Sequence, residues 1–334
     1  MKAEEFIYLS RSDVEACGVT WDESLAVSEK TYSDHAKGLY EMPPKPGVHP
    51  KAEHGACDGA FLHAMPGFLP EISMCGMKWV GVFGHNKKKF NIPALSSIIC
   101  LNDVTTGYPV AVMEGGLITA IRTGQGSAVG AKWLAKADSE VLGVVGAGEQ
   151  GRNNVLAICN AKPTVKVVKL YDLYPEFCQG LIDIVAPQLP GIEFKICASA
   201  EEVIRDSDII VTAAPLGDRK DPVYMAEWVK PGATVIPVHM NGWPFDFCKA
   251  HKCIIDDWNQ FSNYMFGPGK YWEDRWEMHA QLGDIINGTK VGRENDEEII
   301  INFNLGIALQ DISLGTKILE IAKEKGLGKV LSLW

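Results

Sequence analysis

The chain has 334 residues, enough for two domains with sizeable cores, and 46% of them are hydrophobic. Its formal net charge of −10 includes no block of like charge, which argues against nucleic acid as a main partner, because phosphate binding needs a basic stripe. Nine cysteines without a CxxC pair, no signal-peptide pattern and no apolar run near eighteen residues point to free thiols in a reducing cytoplasm, with no membrane association and no zinc ligand set.

Ser10 to Ala16 offers a cap followed by acidic first-turn residues, and Ser24 to Tyr40 has apolar residues at helical spacing, so both read as helices. Met42-Pro43-Pro44-Lys45-Pro46-Gly47 must be extended, because its prolines exclude a helix. Phe61 to Pro66, Met74 to Val82, Ser96 to Leu101 and Val110 to Glu114 read as strands split by Gly, Pro and Asn, with Asp103 to Pro109 as a hairpin turn. Strands in succession without helices between them predict an antiparallel sheet or partial barrel. Lys87, Lys88 and Lys89 form a basic run that could attract an acidic substrate or simply be a solvated loop. Thr119 to Lys136 reads as one helix whose small residues (Gly124, Gly126, Ala128, Gly130, Ala131) permit close packing against a sheet or a second subunit.

Val141 to Val145 is an apolar run typical of a buried parallel strand, and Gly146, Gly148 and Gly151 follow at GxGxxG spacing before a helix through Arg152 to Ile158. Such a turn brings backbone close to a pyrophosphate and aims free N–H groups at its charge. A second apolar run, Val165 to Leu170, ends at Asp172, about twenty residues past the last glycine, where a carboxylate for the ribose hydroxyls is expected. Asp172 favours NAD over NADP, since a 2′-phosphate would meet like charge, and Lys169 reads as a surface residue. A helix starting at Ser199-Ala200-Glu201-Glu202 and strands at Asp208–Ala214, Thr234–Val238 and Lys252–Asp257 continue the rhythm of a doubly wound α/β domain. The segment 258–276 is rich in aromatics (Trp258, Phe261, Phe266, Trp272, Trp276), which suit a substrate pocket, a cover, or core. Phe303 to Lys325 reads as a long final helix.

Several motifs now stand in one order: Lys78-Trp79-Val80, Asn102 to Pro109, Leu117 to Ala128 around Arg122, Gly146-Ala147-Gly148-Glu149-Gln150-Gly151, Leu282 to Gly288, and Phe303 to Asp311. Over nearly the whole chain this string resembles the ornithine cyclodeaminase / mu-crystallin family. The resemblance implies NAD(H) chemistry on the α-carbon of an amino or imino acid, as in amino-acid dehydrogenases and ketimine reductases. It implies a Rossmann-type domain, 126–307, inserted in an α+β substrate-binding and dimerisation domain, 1–125 plus 308–334, with a barrel-like sheet shared in a homodimer. It places Lys78 and Arg122 on the substrate carboxylate and reacting carbon, with Lys45, where many members have arginine, and Leu305 beside them. It places Arg122, Thr123, Glu149, Gln150, Thr212, Val238, His239 and Asn304 about the cofactor, together with Gly146, Gly148, Gly151 and Asp172 of the fingerprint. Arginine can bind a carboxylate through two parallel hydrogen bonds, and a desolvated lysine can donate a proton.

The informative departure lies at 238–246. Where cyclodeaminases carry an acid/base aspartate, the ungapped comparison puts Asn241, which cannot exchange a proton as a carboxylate does. A shifted loop could substitute Asp246 or His239. His239 is also a proton-relay candidate or, alternatively, a cleft-wall histidine bonded to backbone. The resemblance therefore implies net hydride transfer first, an ornithine or lysine cyclodeaminase with recycled NAD second, and a mu-crystallin-like cofactor- or hormone-binding protein third.

Overall fold

The computed structural model describes residues 4–216 and 221–334. The chain divides into two compact units, Met1–Arg122 with Ile307–Trp334, and Thr123–Gly306. Up to the division run β1 (Glu5–Leu9), α1 (Arg11–Cys17), α2 (Trp21–Ala36), β2 (Gly47–Val48), β3 (Phe61–Leu69), β4 (Met74–Val82), α3 (Asn86–Phe90), β5 (Leu95–Asp103), β6 (Pro109–Glu114) and α4 (Gly116–Leu134), in which the division falls. Next come β7 (Val141–Val145), α5 (Glu149–Ala161), β8 (Val167–Tyr171), α6 (Pro175–Val185), β9 (Glu193–Ile196), α7 (Ala200–Ile204), β10 (Ile209–Thr212) and β11 (Thr234–Pro237). The second unit ends with α8 (Phe245–Ala250), β12 (Lys252–Ile255), α9 (Trp258–Met265), β13 (Ala280–Gln281), α10 (Leu282–Ile286) and β14 (Ile300–Phe303); α11 (Ala308–Lys325) and β15 (Lys329–Ser332) return to the first.

The opening helices start where their capping residues place them. Ser10 accepts from the Asp13 N–H and Asp13 reciprocates; Thr20 and Glu23 do the same for α2. The first unit's sheet has the order β15-β1-β6-β5-β4-β3-β2. Neighbours from β2 to β6 pair antiparallel, as the strand run predicts, but β1 adds parallel to β6 and antiparallel to β15. Strand β1 lies ahead of the predicted helices, where the sequence predicts no strand; its five residues are too few to show an alternating pattern. One face of the sheet carries Leu9, Met65, Ile99, Leu101 and Met113, all buried, under α11 and its buried Leu309 and Ile312.

The second unit's sheet has eight strands in the order β13-β12-β14-β11-β10-β7-β8-β9, every neighbouring pair parallel. From β7 the chain winds outward through β8 and β9, then resumes on the other side at β10, which makes β7/β10 the switch point where ligands bind in such sheets. Strands β10, β11 and β14 are buried at every position, as a sheet covered on both faces requires.

Several boundaries differ from the sequence expectation, among them α2, which runs Trp21–Ala36 rather than Ser24–Tyr40. Helix α4 starts at Gly116 rather than Thr119, because the Glu114 carboxylate accepts from Gly116 N–H (2.6 Å) and Leu117 N–H (3.1 Å) and so caps it earlier. Helix α5 starts at Glu149, directly behind Gly148. Phe303 ends strand β14 instead of opening the last helix, which begins at Ala308. The small residues of α4 serve close packing inside the second unit: a Cβ on Gly124 would lie 2.6 Å from the Asn153 carbonyl oxygen, and one on Gly130 2.1 Å from Asn302 Oδ1. The aromatic segment 258–276 is chiefly core. Phe261, Phe266 and Trp272 are buried with Trp243, Phe247 and Phe303, and Trp276 packs at the margin. Lys87, Lys88 and Lys89 lie on α3, all exposed. No helix among the described residues is long and apolar enough to cross a membrane, and none of their His, Cys, Asp and Glu side chains group to hold a metal ion.

Candidate active site

In the first unit, β4 carries Lys78 on the buried face of the sheet, between Met65 of β3 and Ile99 of β5. A lysine there must find a counter-charge, and α11 supplies it. Lys78 Nζ donates to Asp311 Oδ1 at 2.7 Å, and Arg122 Nε, from α4, donates to the same oxygen at 2.9 Å. Lys78 and Asp311 are fully buried and the Arg122 side chain is 10% exposed. Asp311 Oδ2 also lies 2.7 Å from Nζ but accepts no hydrogen bond. With Nε on Asp311, the two terminal nitrogens of Arg122 remain as a fork for a carboxylate.

Burial, and next the Arg122 charge, pull the Lys78 ammonium down to about 7, against the pull of Asp311; Lys45 adds to the lowering. Lys45, on the proline-rich stretch before β2, thus belongs to the same field, and it joins burial in holding the neighbouring His63 imidazole down at about 4. Lys78 and Arg122, both expected from the sequence, are brought together on Asp311, and Lys45 is near enough for its charge to act on Lys78. Asp311 ends the last of the sequence motifs but is not among the site residues expected from it.

In the second unit the glycine turn sits at the carboxyl end of β7. Gly146 has φ +103°, and a Cβ there would meet the Ala214 backbone nitrogen at 2.5 Å. A Cβ on Gly151 would lie 2.0 Å from the Gly146 carbonyl oxygen. Gly148 is different. Its φ of −75° suits any residue, and nothing of the chain lies within 4 Å of its Cβ position. The chain itself has no need of glycine there, whereas a pyrophosphate approaching the first turn of the thirteen-residue α5 does. Gln150 Oε1, in that first turn, is buried without a hydrogen-bond partner. Asp172 closes the turn from the other side: Oδ2 accepts from Ala147 N–H at 2.8 Å and Oδ1 from Tyr174 N–H at 3.1 Å. Each oxygen keeps acceptor capacity for a ribose hydroxyl. The residues present fit a dinucleotide.

Gly148→Ala is expected to change stability by no more than about 1 kcal/mol, as an N-cap exchange, yet to weaken NADH binding tenfold or more, about 1.4 kcal/mol. Gly151→Ala should instead lower the melting temperature. Unaltered NADH affinity of Gly148→Ala in a fluorescence titration would rule out pyrophosphate at that turn.

Of the remaining expected residues of this unit, Thr212, Val238, His239 and Asn241 lie at the ends of β10 and β11 and on the loop that follows. The Thr212 carbonyl accepts from Val238 N–H (3.0 Å) and His239 N–H (3.2 Å), and its hydroxyl accepts the Trp243 indole N–H at 3.3 Å. Burial pushes the His239 imidazole below its ordinary value, which favours its neutral form. Asn241 is 7% exposed, on the loop whose Gly242 carbonyl accepts from Val223 and Tyr224 N–H. Asn304 donates to the Gly126 carbonyl at 3.2 Å and to Asn302 Oδ1 at 2.9 Å, and Leu305 follows it, half-buried. Glu149 and Thr123 stand at the first turn of α5 and in the middle of α4.

The family model of the ornithine cyclodeaminase/mu-crystallin family matches residues 5–326. The nodulation efficiency protein NfeD of Rhizobium meliloti is 34% identical over 326 residues, 97% of this chain and 98% of that one. Among solved structures, the Thermococcus litoralis Δ1-pyrroline-2-carboxylate reductase in complex with NADH and L-proline superposes with a TM-score of 0.86 at 28% identity, covering 97% of this chain and 99% of that one. An archaeal alanine dehydrogenase dimer with bound NAD gives 0.85 at 28% identity, covering 99% and 100%.

Proposed function

We propose, from the premise that this chain belongs to the ornithine cyclodeaminase/mu-crystallin family, that it is an NAD(H)-dependent oxidoreductase acting on the α-carbon of an amino or imino acid. The observation that carries the reading is the buried Lys78–Asp311–Arg122 group, two cations on one carboxylate oxygen. Such a group leaves net positive charge, an arginine fork and a titratable ammonium, the three things a 2-imino or 2-amino carboxylate needs.

In this reading Arg122, aided by Lys45, binds and orients the carboxylate. Lys78 gives its proton to the substrate nitrogen in the reductive direction and, as the free amine, takes it back in the oxidative one. Gly146 to Gly151 and the start of α5 would hold the pyrophosphate and Asp172 the ribose hydroxyls. NAD(H), when bound, supplies or accepts the hydride. The first unit is assigned substrate binding and dimerisation, and the second the dinucleotide. Both structural relatives named above carry NAD or NADH, one of them a reductase together with L-proline and the other an alanine dehydrogenase. Asn241 speaks against cyclodeamination, because an amide cannot shuttle the ring-closure proton.

A steady-state assay tests this. NADH should be consumed with a cyclic imine or with a keto acid plus amine, and formed with the amino acid. Ammonia release from ornithine or lysine with no net change in NADH would replace the reading with a cyclodeaminase. Tight NADH binding without any turnover would replace it with a binding protein.

A homodimer is part of the proposal. The face of the first unit's sheet turned away from α11 carries Met77 and Trp79 on β4, Ile98 on β5 and Tyr8 on β1, exposed by 37, 39, 54 and 40%. They lie in adjoining rows, Ala64–Trp79–Ile98 and Pro66–Met77–Cys100–Val112–Tyr8, so the exposed apolar surface is continuous. A second copy is the natural cover, and the archaeal neighbour is a dimer. Light scattering should find a dimer, and Trp79→Asp with Ile98→Asp should yield a folded monomer; a double variant that stays dimeric would move the interface elsewhere. We place the protein in the cytoplasm, in keeping with nine free cysteines, several of them held protonated by burial.

A further inference from the structure

We propose that Asp311 is a positioning residue that holds the proton of Lys78 and sets the pH range over which the reaction runs in each direction. The inference rests on the reading of Lys78 as proton donor.

The geometry places one carboxylate against two cations: Lys78 Nζ lies 2.7 Å from both Asp311 oxygens, and Arg122 Nε donates to Oδ1 at 2.9 Å. Lys78 and Asp311 are fully buried and the Arg122 side chain is 10% exposed, so solvent screens these charges little.

Every other neighbour works against the Lys78 proton. The strand neighbours on its face, Met65 and Ile99, are apolar and buried. Arg122 from α4 and Lys45 from the proline-rich stretch are cationic, and beyond Lys45 stand His63, two residues from Met65 on β3, and His49, whose ring lies 5.7 Å from that of His63. From α11 comes the Asp311 carboxylate, which favours the ammonium. Remove it, and burial with two like charges leaves Lys78 neutral at ordinary pH.

The proton balance is simple. In reduction, the hydride supplied by the reduced nicotinamide forms the new C–H bond at the imine carbon, and the C=N π pair moves onto nitrogen. The Nζ–H bond breaks as the new N–H bond forms. Lys78 is left neutral beside an unchanged Asp311 carboxylate and takes its next proton from water. Asp311 never transfers a proton itself; it determines how often Lys78 has one to give.

The test is Asp311→Asn, nearly isosteric and uncharged, read in two ways. With 13Cε-lysine labelling and the Lys78 signal identified by its loss in Lys78→Met, NMR titration without cofactor should show the Lys78 midpoint at least tenfold lower in proton affinity, more than one pH unit, than in wild type. The descending limb of the reductive pH profile should move by the same amount, with activity recovering as pH falls. An unmoved Lys78 midpoint in folded Asp311→Asn overturns the proposal, even if the rate drops, since a merely structural role would lower the rate without moving the titration. If Asp311→Asn does not fold, Asp311→Glu is read in its place: a retained carboxylate should keep the Lys78 midpoint above that of unpaired buried lysine, and a Lys78 neutral throughout the neutral range there overturns the idea. Lys78→Met separates the two levels. Full activity in Lys78→Met defeats the reading of the site itself, whereas an inactive Lys78→Met with an unshifted Asp311→Asn defeats only the role of Asp311.

Discussion

Replacing Arg122 with alanine is expected to lower kcat/KM for the amino- or imino-acid substrate by roughly three orders of magnitude, about 4 kcal/mol, in steady-state NADH kinetics. The magnitude follows from the fork. Arg122 is fixed through Nε by Asp311 Oδ1 at 2.9 Å, so the guanidinium plane is set before substrate arrives and little entropy is lost on binding. Its two terminal nitrogens can then make two charge-assisted hydrogen bonds, each worth about 1.5–3 kcal/mol. With the side chain 10% exposed, little water competes. Arg122→Lys keeps the charge but not the fork, and should fall between wild type and Arg122→Ala. If Arg122→Ala stays within about threefold of wild type, the carboxylate is bound elsewhere and the assignment fails.

What the sequence made legible follows the range of the interactions involved. The stretch from Val141 to Asp172 is local: a buried strand, a glycine turn, a helix and an acid at the end of the next strand each leave a signature within about thirty residues. The structure adds what spacing cannot give, that Asp172 is tied to the turn by the Ala147 N–H. Asp311 is the opposite case. Its partner Lys78 lies 233 residues away, so no local pattern joins them. A signal was present nonetheless. Ala308, Leu314 and Ile318 are buried members of one helical face, and Asp311 falls at i+3 from the first and i−3 from the second, where an apolar residue is due. A carboxylate in that position must have a buried counter-charge, and the lysine amid the apolar residues of β4 was the candidate.

The chain ends were illegible for a related reason. Strand β1 pairs with β15, Glu5 against Ser332, and all four residues of β15 are exposed, so neither segment carries the alternation by which half-buried strands are recognised. The aromatic segment 258–276 was readable as composition, but whether it lines a pocket or fills a core depends on β14 and on the 243–247 segment folding back onto it. Only the three-dimensional arrangement decides that, and it decides for core.

Lys78→Met is the second large effect expected: a loss of about 10²–10⁴ in kcat in both directions, the span of general acid–base catalysis, with a smaller change in cofactor affinity. The pH dependence makes the assignment specific. Lys78 titrates at about 7 because burial and Arg122 outweigh Asp311. Reduction uses the ammonium, whose population falls as pH rises through that value, so reductive kcat/KM should decline above it. Oxidation uses the neutral amine as base, so its rate should rise over the same interval. The two limbs mirror each other because they report two protonation states of one group. In Lys78→Met both should vanish together, leaving slow and nearly pH-independent turnover in this range. His239 is the competing candidate, and burial lowers its imidazole too, from an ordinary value of 6.5, so a limb due to His239 would lie on the acid side of neutrality. A limb near 7 that survives in Lys78→Met would take the proton transfer away from Lys78, and with it the reason for burying a lysine and an aspartate together beneath this sheet.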